Sequence, residues 1–177
     1  MPLATGFEEI EAVTVVDILR RAGIEVLTAG LLPGPVQASR GVVLVPEMSL
    51  DEALRQDFDM IVLPGGMPGS EHLRNDPRVI ALLQRMAAKG QYTAAICAAP
   101  MALHAAGLLQ GKRATSFPGV LNELPGSHQY QNDAVVVDGK VVTSQGPGTA
   151  MDFALTLVEL LAGKAKRAQV EAGLVRC

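Results

Sequence analysis

Cys97, one of two cysteines, stands where the apolar run Ala94-Ala95-Ile96 gives way to Ala98-Ala99-Pro100-Met101-Ala102-Leu103. The first run reads as a buried strand, and Ala98 to Ala106 reads as a helix closed by Gly107. A thiol at such a joint lies in the field of a helix N-terminus, where unpaired backbone N–H groups favour negative charge. The expectation is a nucleophile whose pKa falls below the free value of about 8.5. The plain alternative is a buried structural thiol.

Two other groups of residues could serve that thiol. Pro64-Gly65-Gly66 follows the apolar run Met60-Ile61-Val62-Leu63. In isolation it is a tight turn. Beside a cysteine at another strand-to-helix turn, its N–H groups would face the strand-end crevice and form an oxyanion pocket. Thr5-Gly6-Phe7-Glu8-Glu9-Ile10-Glu11 carries three carboxylates, more than a helix dipole needs. Glu11 could be a solvated dipole partner. Turned inward, it would be desolvated, its pKa raised, and the neutral acid could donate a hydrogen bond to a thiolate.

Other candidates carry less. His72, His104 and His128 lack metal-ligand spacing and read as surface or packing residues. His104 lies two helical turns beyond Cys97, pointing the same way but too far to touch the thiol. Gln145-Gly146-Pro147-Gly148-Thr149 has neither the lysine nor the spacing of a phosphate loop, and reads as a rigid entrance to the next helix.

These residues need an α/β frame to hold them. Glu8-Glu9-Ile10-Glu11 opens a helix that ends at Arg20-Arg21-Ala22-Gly23, and Ile24 to Ala29 follows as a strand. Pro2-Leu3-Ala4 reads as a first strand shorter than the others, either stunted or entered part-way by the start of the sequence. Val36–Ser39 and Val42–Val45 flank Arg40-Gly41 as a small hairpin, and Leu50 to Arg55 is a short helix. Met60–Leu63 is a central strand covered on both faces. Asp76-Pro77 starts a helix that Gly90 follows, and Asp138-Gly139 joins two β-branched runs as a hairpin. Ala150 to Leu161 is a long apolar helix stopped by Gly163, and Lys164 to Arg176 is a last helix packed on the body. Helices alternating with short strands predict a mainly parallel sheet flanked by helices, in one domain spanning 1–177.

Composition narrows the partners. Hydrophobic residues make up 49% of the chain, yet no apolar run approaches the roughly 18 residues of a membrane span. The first basic residue is Arg20, so no secretory signal is expected. A net charge of -3 with no Trp and 3% aromatics offers neither a phosphate-binding face nor a stacking platform for nucleic acid. Cys97 and the terminal Cys177 are not expected to pair, which suits a reducing cytoplasm.

Taken together, Gly6-Phe7-Glu8-Glu9-Ile10-Glu11, Leu63-Pro64-Gly65-Gly66, Ala94-Ala95-Ile96-Cys97-Ala98-Ala99-Pro100 and Thr143-Ser144-Gln145-Gly146-Pro147-Gly148-Thr149 resemble the ThiJ/PfpI (DJ-one) superfamily. The likeness is to its YajL-like branch, relatives of the parkinsonism-associated deglycase, and it runs over essentially the whole chain. It implies a flavodoxin-like three-layer sandwich and a homodimer, with neither metal nor organic cofactor. It places Cys97 on the reactive cysteine and Glu11 on its partner acid. Gly65, Gly66 and Ala98 fall in the oxyanion and substrate pocket. Arg21 and Arg40 fall near the dimer interface, and Pro147 on the pocket rim. Protease-like relatives place histidine directly after the cysteine, where this chain has Ala98. Phe117, within Ser116-Phe117-Pro118, stands where the deglycase branch often has histidine, so proton transfer is expected to rest on Glu11.

The activity the resemblance implies is cysteine-dependent removal of small dicarbonyls such as methylglyoxal, as a glyoxalase without glutathione, or deglycation of their early adducts. Nucleic acid would enter only as a glycated substrate. A different class of function is a redox sensor or holdase-type chaperone, in which Cys97 is oxidised to sulfinate without significant turnover.

Overall fold

A computed structural model describes residues 1–126 and 128–176. Cys177, expected to stay unpaired, lies outside the described residues; among those described, Cys97 is a free thiol. The chain opens with β1 (Pro2–Leu3) and turns into α1 (Glu9–Arg21), which ends at Gly23 in the left-handed region, φ +78°. β2 is Ala29–Gly30. β3 (Val36–Gln37) and β4 (Val43–Leu44) form the expected antiparallel hairpin around Arg40-Gly41. β5 (Met48–Ser49) runs into α2 (Leu50–Ala53), opened by a capping box between Ser49 and Glu52. β6 is Met60–Leu63. A helix the sequence reading did not anticipate, α3 (Gly69–Asn75), precedes α4 (Pro77–Ala88), where Asp76 caps and Pro77 takes the first turn.

β7 (Tyr92–Ile96) leads through Cys97 to α5 (Pro100–Ala105). β8 (Arg113–Ala114) pairs with β9 (Gln129–Tyr130). β10 (Val135–Asp138) and β11 (Val141–Ser144) form the Asp138-Gly139 hairpin. α6 (Ala150–Ala162) stops at Gly163, and α7 (Lys164–Ala172) packs back on it, ending four residues short of the expected boundary.

The central layer is mainly parallel. β6, β7 and β11 run parallel in the order β10-β11-β7-β6, and only β10 is antiparallel within that group. β1, β2 and β5 form a second parallel group, with β1 lying beside β6. The strand expected over Ile24 to Ala29 is laddered only at Ala29–Gly30. A strand is defined by its partner, and β1 runs alongside only from Met1 onward.

Alternation along the strands builds the two flanking cores. Ile61, Leu63 and Ala95 face α3, α4 and α5, against Leu73, Leu83 and Leu103. Val62, Ala94 and Ile96 face α1 and α6, against Val15, Ile18 and Phe153. A continuous apolar strand covered on both faces is what a parallel sheet requires, and it makes the molecule a three-layer sandwich. Among the described residues no helix is long and apolar enough to cross a membrane.

Candidate active site

The strands β6, β7 and β11 all deliver their C-terminal ends to one edge of the sheet, and Cys97 is the first residue after β7. Its backbone is left-handed, φ +64°, a conformation that costs a non-glycine residue of order 1 kcal/mol or more. Tethers from two distant segments hold it there. The Cys97 N–H donates to the Ser144 carbonyl at 2.9 Å, and the Cys97 carbonyl accepts from the Phe117 N–H at 2.8 Å. The turn Cys97-Ala98-Ala99 therefore precedes the helix, which starts at Pro100 and ends at Ala105 rather than spanning Ala98 to Ala106. Two local N–H groups, those of Gly66 and Ala98, reach the sulfur in place of the helix end.

The three carboxylates at the start of α1 have separate tasks. Glu8 caps the helix, accepting the Glu11 N–H at 2.9 Å. Glu9 accepts the Arg40 N–H at 2.9 Å and the Ser39 hydroxyl at 3.1 Å, tying the β3–β4 turn to the helix. Glu11 points inward and is fully buried. Its Oε2 accepts the Gly65 N–H at 2.7 Å, while Oε1 is buried without a partner oxygen or nitrogen. The carboxyl's other neighbour is the Cys97 thiol.

Gly65 is thus the clamp on Glu11. Its N–H is committed, so the expectation that it donates to an oxyanion is corrected; Gly66 and Ala98 remain as donors. Its missing side chain matters equally. A Cβ there would lie 2.5 Å from Cys97 Cβ and 2.7 Å from Glu11 Oε2. Gly66 is left-handed at φ +88°, with the backbone of Gly6 and Phe7 filling the space a side chain would need. Gly65→Ala is expected to destabilise the fold by about 1–3 kcal/mol through overpacking and to slow alkylation of Cys97. A urea melt matching the parent would show that the turn relaxes instead.

Burial pushes the Glu11 carboxyl up from 4.5 to about 7, against the opposing pull of the Gly65 N–H and of Cys97. Burial likewise pushes the Cys97 thiol up from 9.0 to about 12. The negative charge of Glu11 adds to the rise, and the Gly66 and Ala98 N–H groups act against it. The expected fall of the thiol below its free value is therefore overturned: desolvation outweighs the backbone donors. The two groups compete for protons, so they titrate as a pair. Between about pH 7 and about pH 12 the pair holds one proton between carboxyl and sulfur. That proton can sit on sulfur, with Glu11 as base, or on Glu11, with Cys97 as thiolate.

The other predicted residues are spread more widely. Pro147 begins a 3₁₀ turn, Pro147–Thr149, and the adjacent Gly146 lies against the Phe117 ring, which is half exposed beside Cys97. Arg40 is at the hairpin tip next to Glu9, on the site's flank. Arg21 pairs with Asp17 at the opposite end of α1, ten residues from Glu11 and so about 15 Å along the helix. It is not on the pocket rim. His104 lies 2.7 Å from the Pro125 carbonyl and packs edge-on against His128, away from the thiol. Among the described residues no group of three His, Cys, Asp or Glu could hold a metal. The sequence reading missed Ser144, whose carbonyl anchors Cys97 and whose hydroxyl lies 2.7 Å from that of Thr149. A backbone acceptor leaves no side-chain signature to read.

Known proteins resemble this chain over nearly its whole length. The family model described as DJ-1/PfpI family matches residues 1–160. Protein dj-1beta of Drosophila melanogaster is 45% identical over 175 residues, covering 98% of this chain and 94% of that protein. Its crystal structure superposes with a TM-score of 0.95, over 99% of this chain and 96% of that one, at 43% identity. The glutathione-independent glyoxalase DJR-1.2 of Caenorhabditis elegans is 39% identical over 160 residues, 90% of this chain and 85% of that protein.

Proposed function

Because this chain belongs to the DJ-1/PfpI family and has its flavodoxin-like fold, we propose that it is a cysteine-dependent enzyme converting small dicarbonyls such as methylglyoxal to hydroxy acids without glutathione. The observation that carries this reading is the fully buried Glu11 carboxyl set beside the Cys97 thiol at the Gly65-Gly66 turn. The name of the Caenorhabditis elegans relative supports the substrate class.

In the first step Cys97 sulfur forms a bond to the aldehyde carbon as the carbonyl π bond breaks. The shared proton goes to the new oxygen, giving a hemithioacetal, and the two N–H groups stabilise that oxygen as charge develops. Glu11, now a carboxylate, takes the proton from the former aldehyde carbon and returns it to the neighbouring carbonyl carbon, while the hydroxyl proton passes to that carbon's oxygen. The product is a thioester of the hydroxy acid. Water hydrolyses it, releasing lactate and restoring the thiol. Conversion of carbon-13-labelled methylglyoxal to lactate, followed by NMR without glutathione or amine, tests this reading. Turnover confined to preformed arginine or cysteine adducts would assign deglycation instead.

A second reading rests on the two N–H groups and the carboxyl converging on the sulfur itself. Two equivalents of peroxide would convert the thiol to sulfinate and water, and the same donors would hold the sulfinate oxygens. This suits a redox-sensing or chaperone role. Mild peroxide is expected to add two oxygen atoms at Cys97, read by intact mass; that addition without dicarbonyl turnover favours the sensor.

A homodimer in the cytoplasm completes the proposal. Ile10 and Val13 on α1 and Val43 on the hairpin are about half exposed, and a second copy would cover them. Sedimentation at twice 18.6 kDa supports it.

A further inference from the structure

Cys97 sits between two strand ends. In the order β11-β7-β6, the β6 side brings the Gly65-Gly66 turn and the β11 side brings Gln145-Gly146-Pro147. The groups that the proposed reaction uses are divided unevenly between them. The Gly66 N–H comes from the β6 side, the Ala98 N–H from the turn after β7, and Glu11 is clamped to Gly65. The β11 side offers the ring of Phe117, which lies against Gly146.

That ring is 49% exposed, yet its backbone is fixed at three points. The Phe117 N–H donates to the Cys97 carbonyl at 2.8 Å. The Phe117 carbonyl accepts the Ser116 hydroxyl at 2.9 Å and the Val120 N–H at 3.1 Å. Ser116 is itself held, its hydroxyl accepting the Leu121 N–H at 3.0 Å. The far edge of the ring is placed as well: a Cβ on Gly146 would stand 3.5 Å from Phe117 Cδ2, an ordinary contact. Gly146 is two residues beyond Ser144, whose carbonyl holds the Cys97 N–H. The ring thus spans the two tethers of the cysteine, anchored below and half open to solvent. A phenyl ring neither gives nor takes a proton, so what it offers the site is contact.

The tetrahedral carbon of the hemithioacetal shows which group receives that contact. Of its four substituents, one is the Cys97 sulfur and one is the oxygen, directed to the Gly66 and Ala98 N–H groups. The third, hydrogen, must face Glu11. The acyl group, a carbonyl bearing a substituent R, is left with the β11 side. Neither Ser116-Phe117-Pro118 nor Gln145-Gly146-Pro147-Gly148-Thr149 carries a charged side chain. A carboxylate or ammonium on R finds no partner there, whereas a methyl or phenyl group covers the exposed part of the ring.

We infer that Phe117 determines specificity at this site and selects 2-oxoaldehydes with an apolar substituent, aryl over methyl and methyl over hydrogen. This rests on the dicarbonyl reading of Cys97 and adds which members of that class are preferred. One methyl group in an apolar pocket discriminates by about tenfold or more, and an aromatic pair adds to that.

The test measures kcat/KM for glyoxal, methylglyoxal and phenylglyoxal on the parent, Phe117→Ser and Phe117→Leu. Ratios between substrates within one preparation do not depend on the fraction of folded enzyme. The phenylglyoxal-to-glyoxal ratio is expected to fall by about tenfold or more in Phe117→Ser, with Phe117→Leu between it and the parent. Alkylation of Cys97 reads the same contact without turnover. The rate with N-benzyliodoacetamide relative to iodoacetamide should fall in Phe117→Ser in step with the substrate ratio. A purely structural role would slow both substrates and both reagents together and leave the ratios where they were. Turnover with ratios that Phe117→Ser leaves unchanged would overturn this inference alone. No turnover of any of the three dicarbonyls by the parent would overturn the enzyme reading, and the substrate preference would fall with it.

Discussion

Cys97→Ala is expected to lose methylglyoxal conversion by a factor on the order of 10⁴ or more, because the variant has no atom to form the thiohemiacetal bond. Stability should change little by comparison. Alanine keeps the left-handed φ and the same backbone tethers to Ser144 and Phe117, and it gives up one small, nearly buried sulfur. Melting within a few degrees of the parent, with no lactate formed, is the expected pair of results. Cys97→Ser should be equally inactive, since an alcohol in this desolvated site is a far weaker acid than the thiol. Lactate production by either variant at the parent's rate would remove Cys97 from the mechanism.

Glu11→Gln is expected to lower turnover by about 10²–10⁴-fold, the span of a general acid–base contribution, while making the protein more stable at alkaline pH. The sign follows from the raised carboxyl. Between pH 4.5 and about 7 the folded chain keeps a proton on Glu11 that the unfolded chain has released. The stability tied to that proton is complete below pH 4.5 and is lost as pH rises through about 7. At about 1.4 kcal/mol per pH unit the loss amounts to about 3 kcal/mol. Glutamine can still accept the Gly65 N–H and cannot ionise. The variant should therefore melt above the parent at pH 8 and close to it at pH 4.5. Alkylation of Cys97 provides a separate readout. In the parent the thiol must ionise beside a Glu11 carboxylate already charged, so its midpoint should lie far above the ordinary 9.0. In the variant the Glu11 charge that raises the thiol is gone and burial remains, so the midpoint should fall below the parent's while staying above the ordinary 9.0. A parent and variant with the same midpoint would break the link between the two groups.

The elements most legible in the sequence were those specified by their own residues. Met60–Leu63 announces a strand covered on two faces, and Asp138-Gly139 announces a hairpin. Asp76-Pro77 marks a helix start through its cap and fixed φ. The extended run at Ile24–Thr28 misled because a ladder depends on a neighbour, and β1 is too short to provide one there. The site divides along the same line. Cys97 stood out by its position, and the extra carboxylate at Glu11 stood out by number. The sense of the thiol's titration did not, because it depends on burial by segments remote in sequence. The clamp at Gly65 was equally hidden, since one Gly-Gly pair can offer donors to a ligand or spend them on a side chain.

The tethers on Cys97 have a consequence for the order in which the chain is made. When residue 97 is added to the growing chain, Phe117 and Ser144 have not yet been synthesised, so nothing holds φ at its left-handed value. The nascent cysteine is an ordinary solvated thiol without a proton-sharing acid. The Cys97–Glu11 pair is set only when β11 docks in register against β7 and delivers the Ser144 carbonyl. The chemistry of the site is in this sense a certificate of completed folding, issued by the last strand in the sequence.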